Sequence, residues 1–147
     1  MNIELKELKM DSFDVITDFF VGVFSNEPWN DDWSDKSQLH AYMTELIDNR
    51  NSLVFGLFID NNIVGLSMGY VKHWYEGTEY VINEFCVKTE KQGQGLGSIF
   101  IELIDGSIKK RGINTIFLLT DRNVPAYDFY KKNGFTELES NVAFYRN

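Results

Sequence analysis

Val87-Lys88-Thr89-Glu90-Lys91-Gln92-Gly93-Gln94-Gly95-Leu96-Gly97-Ser98 runs from an apolar stretch through three glycines into a long amphipathic one. Upstream, Tyr80–Lys88 reads as a strand. Downstream, Gly95 to Lys110 is the clearest helix in the chain, with Leu96, Ile99, Phe100, Leu103, Ile104 and Ile108 at helical spacing and Gly112 as its stop. A strand, a glycine-rich loop and a helix in this order suit an anion. Glycines let backbone approach it closely. The first N–H groups of the helix have no intrahelical partner, and the helix dipole favours negative charge there. Ser98 adds a hydroxyl, and Lys91 adds charge at the rim. Three glycines by themselves also describe a tight strand-to-helix turn. The G-x-G-x-G spacing is not the dinucleotide fingerprint, and no Gly-Lys-Ser/Thr follows to make a P-loop.

Outward from this loop, Ile113–Thr120 reads as a buried strand, so 80–120 is a strand–helix–strand crossover. Such units are right-handed and give parallel strands. Toward the N-terminus lie a strand at Leu5–Lys9 and a helix capped by Asp11, with Phe13, Ile16, Phe20, Val23 and Phe24 at helical spacing. A second helix, capped by Ser34, has Leu39, Met43, Leu46 and Ile47 on its apolar face. Leu53–Ile59 and Ile63–Val71 read as a hairpin around Asp60-Asn61-Asn62. Toward the C-terminus come a helix at Val124–Asn133 ending at Gly134, then strands at Phe135–Leu138 and Val142–Tyr145. The order β-α-α-β-β-β-α-β-α-β-β gives an α+β fold with a mixed sheet and helices packed on it. No repeat or linker divides the chain, so residues 1–147 read as one domain.

Composition narrows the function classes. Hydrophobic residues make up 44%, with 12 Phe, 7 Tyr and 3 Trp, enough for a packed core. The net charge of −8 argues against nucleic acid as partner, since phosphate backbones need a basic footprint. The charge is uneven. Residues 1–87 hold 5 Lys+Arg against 15 Asp+Glu, whereas 88–132 hold 8 against 5. A basic centre in an acidic chain suits an anionic ligand at the loop and a cationic one elsewhere, although acidic surfaces also simply keep proteins in solution. Charges interrupt Met1–Glu7, so the start does not read as a signal peptide, and no apolar run is long enough to cross a bilayer. With a single cysteine, Cys86, the expectation is a soluble cytoplasmic protein without membrane contact.

The stretch from Val87 to Gly97 resembles the acetyl-CoA signature of the GNAT superfamily of N-acetyltransferases, Gln/Arg-x-x-Gly-x-Gly/Ala after an apolar strand, with Gln92, Gly95 and Gly97 in its fixed places. Asn123-Val124-Pro125-Ala126-Tyr127-Asp128-Phe129-Tyr130-Lys131-Lys132-Asn133-Gly134-Phe135 is similar to a second motif of that family, Asn-x-x-Ala-x-x-Phe-Tyr-x-x-x-Gly-Phe. Thr89 stands where many members have Pro, and Gln92 where many have Arg. The resemblance covers nearly the whole chain. It implies a central, mixed but mostly antiparallel twisted sheet of about six to seven strands flanked by about four helices. It also implies acetyl-CoA as cofactor. The backbone of Phe85, Cys86 and Val87 would bond the pantetheine arm as a pseudo-strand. The N–H groups of Gln92, Gly93, Gln94, Gly95, Leu96, Gly97 and Ser98 would hold the pyrophosphate. Asn123 and Ala126 complete the cofactor-binding set, Phe129 packs beside the cofactor, and Tyr130 stands near the thioester sulfur. Family members often pair, so a homodimer is also implied.

The implied reaction is direct attack of an amine on the acetyl thioester. An alkyl amine with a pKa of about 10.4 must shed a proton first, so a carboxylate base is useful. Glu84, three residues before Val87, is the candidate; it is equally a strand-face carboxylate that binds substrate or pairs with a cation. The N–H of Cys86 or Val87 is a candidate oxyanion donor. The leaving thiolate, of pKa about 8.5 by analogy with cysteine, could take a proton from Tyr130, whose other reading is aromatic packing. Cys86 between Phe85 and Val87 reads as a buried, inert thiol. His40 and His73 show no zinc pattern, and no metal is expected. For the acceptor, Ser25–Trp33 is a polar, aromatic loop in which Glu27, Asp31 and Asp32 accompany Trp29 and Trp33. With Glu84, the residues Trp29, Asp32 and Trp33 make a candidate surface for a cationic amine through charge and cation–π contact. Aminoglycosides, polyamines and peptide amines all qualify, and the same loop could serve only to anchor the second helix. A protein N-acetyltransferase, or a module that binds acetyl-CoA as a sensor without turnover, are the other readings.

Overall fold

The computed structural model describes residues 1–147. The chain runs β1 (Ile3–Leu8), α1 (Phe13–Phe24), α2 (Lys36–Ile47), β2 (Ser52–Ile59), β3 (Asn62–Trp74), β4 (Gly77–Val87), α3 (Leu96–Lys109), β5 (Thr115–Leu118) and α4 (Pro125–Lys132). The strands form one sheet in the order β1-β2-β3-β4-β5. Neighbours are antiparallel as far as β4, and β5 joins β4 in parallel. The parallel pair follows from the α3 crossover, which returns the chain to the end of the sheet where β4 began.

Local chemistry explains most element ends. Asp60 and Asn61 take φ of 49° and 68° at the β2–β3 turn, a left-handed pair that Asn and Asp tolerate best. The helix α2 is capped by Asp35, whose carboxylate accepts from Gln38 N–H at 3.1 Å. Ser34, the expected cap, instead donates its own N–H to Asp32 Oδ1 at 3.0 Å. Asp11 lies in a short 3-10 turn before α1, and no side chain caps that helix.

The sheet has five strands rather than six or seven, because Phe135–Leu138 and Val142–Tyr145 do not pair. Apolar alternation selects a face, but a strand also needs an edge whose N–H and C=O groups match its own. The β5 strand is only four residues long, and no ladder continues from it. The tail is held through Glu137 instead, which accepts from Tyr127 Oη at 2.5 Å and from Arg122 at 2.7 Å. Val142, Phe144 and Tyr145 are exposed.

Apolar layers cover both faces of the sheet. On one, Ile16, Phe20 and Val23 of α1 and Leu39 and Met43 of α2 meet Val54, Leu66, Met68 and Cys86. On the other, Leu96, Phe100, Ile104 and Ile108 of α3 meet Leu53, Phe55, Leu57, Ile82 and Val87. Each such side chain contributes roughly 1.5–3 kcal/mol by leaving water. Tyr80 is wholly buried in the second layer, with its hydroxyl 3.0 Å from Leu53 O and 2.7 Å from Ser67 Oγ.

One irregularity positions the site. Met68 pairs with Glu84 but Gly69 pairs with Ile82, so Asn83 is an extra residue in β4. Before this bulge Tyr80 and Ile82 face α3, and after it Phe85 and Val87 do. Unbroken alternation would have sent Glu84 to the α3 side with Tyr80 and Ile82. The bulge turns it, with Cys86, toward α1 and α2.

Candidate active site

Beyond Val87 the chain leaves the sheet. Lys88 N–H bonds Val64 O at 2.7 Å, Thr89–Lys91 makes a 3-10 turn, and the Gln92 amide reaches back to Val87 O at 3.1 Å. The helix is entered through Gly95 at φ 80°, a left-handed conformation that costs an ordinary L residue about 1–2 kcal/mol. No side chain caps it. The first N–H of the helix with a carbonyl acceptor is that of Ile99, on Gly95 O at 3.2 Å. The Gln92 N–H, expected among the pyrophosphate donors, is taken by Thr89 O at 3.2 Å, whereas those of residues 93–98 have no backbone acceptor, which leaves a row of donors at the positive end of a helix fourteen residues long. Leu96 is buried and anchors the helix, so it offers only backbone to a ligand, and Ser98 is half-buried beside it.

At Gly97 a Cβ would stand 2.8 Å from Phe129 Cε1. The missing side chain lets α4 close on the start of α3. The ring of Phe129 then stacks with Phe85 at 6.0 Å and meets Tyr130 edge-on at 5.3 Å. Phe85 also stacks on Phe100 at 5.1 Å, so one aromatic cluster ties β4, α3 and α4 together. Strand β5 pairs with β4 only from Glu79 to Ile82. Phe85, Cys86 and Val87 lie past that last rung, and no strand pairs with their edge on that side. Asn123 is exposed in the turn before α4, and Ala126 sits half-buried in the first turn of that helix.

Glu84 accepts a hydrogen bond on Oε2 from the Tyr42 hydroxyl of α2. Its carboxyl is raised above the usual range, first by burial and also by the charge of Asp31, while the Tyr42 bond works in the other direction. Tyr42 stacks on Trp33 at 5.4 Å with planes 9° apart, and Trp33 stands edge-on to Phe20 at 5.4 Å. The Trp33 Nε1 is buried without a partner. Burial pushes the Tyr130 hydroxyl up, with Cys86 and Glu84 adding to it, so this hydroxyl stays protonated at neutral pH and shares its local field with both residues. Burial likewise pushes the Cys86 thiol up, in keeping with an inert thiol.

Of the acceptor-side residues, Trp33 is joined to Glu84 through Tyr42, and Asp31 acts on both by charge. Trp29 packs edge-on to Phe24 at 5.1 Å, and the Asp32 carboxylate is turned onto Ser34. His40 lies against Phe13, and His73 is in β3 beside Thr78. A cavity of about 370 Å³ opens between α2 and the bulge, its lining including Tyr42, Glu45, Leu46, Asn49, Tyr70 and Asn83 but not Glu84. Tyr42 carries no signal in the sequence beyond a hydroxylated ring at the polar edge of an apolar helix face, three residues after Leu39. No group of three or more His, Cys, Asp or Glu is placed to hold a metal, and no helix is long and apolar enough to cross a membrane.

The model of the acetyltransferase (GNAT) family matches residues 10–135. Among solved structures, an aminoglycoside acetyltransferase from an uncultured soil metagenomic sample, meta-AAC0020 in complex with sisomicin, is 25% identical with a TM-score of 0.76, over 99% of this chain and 95% of that one. A possible acetyltransferase from Clostridium difficile 630 has a TM-score of 0.81 at 20% identity, over 100% and 99%. The aminoglycoside acetyltransferase AAC(6')-Iy, in complex with a CoA-containing bisubstrate analogue, has a TM-score of 0.75 at 15% identity, over 100% and 99%, a likeness of fold. No curated protein sequence matches the chain.

Proposed function

Because the chain belongs to the acetyltransferase (GNAT) family, we propose that it transfers the acetyl group of acetyl-CoA to a primary amine of a small cationic acceptor, with Glu84 as base and Tyr130 as acid. The observation that carries this reading is a helix start with unpaired N–H groups that packs through Gly97 on Phe129, with Tyr130 against Phe85 and the half-buried Glu84 one residue before it in β4. The donors of residues 93–98 fit a pyrophosphate, and the outward edge of Phe85–Val87 fits the amides of a pantetheine arm. Asn123 and Ala126 flank that arm, and Phe129 packs beside it. Acetyl-CoA supplies an activated thioester carbonyl.

The residues of the chain do the rest. Glu84 takes a proton from the acceptor ammonium, and its raised pKa makes it a better base than an exposed carboxylate. The amine lone pair then forms the new C–N bond, with the N–H of Cys86 or Val87 as candidate donor to the carbonyl oxygen. As the C–S bond breaks, Tyr130 would give its proton to the departing sulfur and its phenolate would take the second proton shed by the nitrogen, while the proton on Glu84 passes to solvent. The acceptor would approach the side of the Glu84 carboxylate that Tyr42 leaves free, where negative charge from Glu84 and Asp31 and the rim of the Trp33–Tyr42 pair suit a cation. The sisomicin complex of meta-AAC0020 makes an aminoglycoside the first acceptor to test. We further read residues 1–147 as one catalytic domain working in the cytoplasm, where the single buried thiol Cys86 would stay reduced.

The test is acetyl-CoA consumption with aminoglycosides, polyamines and peptide amines in parallel. Turnover is expected with at least one aminoglycoside and its loss in Glu84→Gln. Cofactor binding without turnover on any amine would leave a sensor module. Turnover confined to peptide amines would make the chain a protein N-acetyltransferase.

A further inference from the structure

We propose that Tyr42 is a positioning residue for Glu84, donating its hydroxyl proton to Oε2 and so leaving Oε1 as the oxygen presented to the acceptor amine. The inference rests on Glu84 being the base.

A carboxylate has two equivalent oxygens and a freely turning final torsion. One fixed donor removes both freedoms. Tyr42 is suited to that task because neighbouring rings hold its own. Trp33 covers one side of it at 5.4 Å and 9°, and Phe20 meets it at 6.1 Å and 62°. Its helix is anchored through the buried Leu39, Met43 and Leu46. Burial and the neighbouring Glu84 keep the phenol protonated, so it donates and does not compete for the acceptor's proton. The Asn83 bulge brings Glu84 to this donor, and without it the carboxylate would face α3. The groups acting on Glu84 are Tyr42 from α2 and Asp31 from the loop before it; Glu84 in turn acts on Cys86 of the same strand and on Tyr130 from α4, and Glu45 acts on Tyr42. Among these, Tyr42 donates to the carboxylate and favours its ionised form.

The experiment is the pH profile of kcat/KM for Tyr42→Phe, which removes one oxygen and keeps the ring stack. The limb set by Glu84 is expected to move to higher pH and kcat to fall roughly 10-fold or more, as for loss of a hydrogen bond to a charged group. The KM for acetyl-CoA should not change. The amine's own ionisation sets a separate limb that this variant leaves in place. In Glu84→Gln, adding Tyr42→Phe should cost nothing further. Tyr42→3-fluorotyrosine, a stronger donor of nearly the same shape, should move the Glu84 limb to lower pH, and it serves if the phenylalanine variant folds poorly. An unmoved limb in these variants, or a further loss in the double variant, overturns the positioning role while Glu84 remains the base. Retained turnover in Glu84→Gln alone overturns the base assignment itself.

Discussion

Gly97 and Phe129 share a space in which only one of them can have a side chain: a Cβ at 97 would lie 2.8 and 2.9 Å from two atoms of the Phe129 ring. The contact joins the loop that offers N–H donors to the helix that carries Tyr130, so the geometry of one depends on the packing of the other. Gly97→Ala is expected to destabilise by about 1–3 kcal/mol through overpacking and to weaken acetyl-CoA binding by displacing α4. Adding Phe129→Leu should recover melting temperature. Calorimetric titration and thermal melts of the three proteins check this, and an undisturbed Gly97→Ala would mean that the ring turns aside freely.

At Gly95 the effect should fall on the ligand rather than the fold. Asp tolerates left-handed backbone better than most residues, but its carboxylate would stand among the donors of residues 93–98. Gly95→Asp should therefore lower acetyl-CoA affinity at least about tenfold, the 1.4 kcal/mol of one modest electrostatic interaction, with a small change in melting temperature. Unchanged affinity would remove the pyrophosphate from this loop.

Tyr80→Phe tests the core. The variant leaves the Ser67 hydroxyl and Leu53 O facing each other in a wholly buried space without the phenol between them. The expected loss is about 1–3 kcal/mol, read by denaturant unfolding with an unchanged slope. A loss within noise would show that Ser67 finds another acceptor.

Glu84→Gln should separate stability from activity. The folded state holds the Glu84 carboxyl above its ordinary pKa, so folding favours the protonated form. That contribution is complete in acid and is lost as pH rises through the folded-state pKa. Well above that pKa, the neutral Gln should melt at or above the parent's temperature, and the gap should close in acid. A lower melting temperature at neutral pH would mean that the Tyr42 bond outweighs desolvation.

The loop and its helix were legible from sequence because their signals are local: glycine at a left-handed position and an apolar stripe at helical spacing. The hairpin at Asp60-Asn61 was legible for the same reason. What depends on pairing was not. Phe135–Leu138 and Val142–Tyr145 have strand-like alternation, but nothing in their own residues says whether an edge awaits them. The cap of α2 differed by one position, because Ser34 and Asp35 are both good caps and only the folded loop decides which reaches Gln38. Tyr42 was invisible for a third reason. Its partner lies 42 residues away, across a bulge that sequence parity does not reveal.

Beyond that bulge, successive residues of β4 answer to opposite faces of the sheet. Phe85 and Val87 must satisfy α3, whereas Glu84 answers to whatever α2 and the loop before it present. On the proposed function, substitutions on α2 would thus alter which amine is met, and how its proton is handled, without touching the residues assigned to the acyl donor. One inserted residue gives the end of a single strand two faces that can vary separately, a division of labour that, on the proposed function, suits keeping one donor while acceptors change.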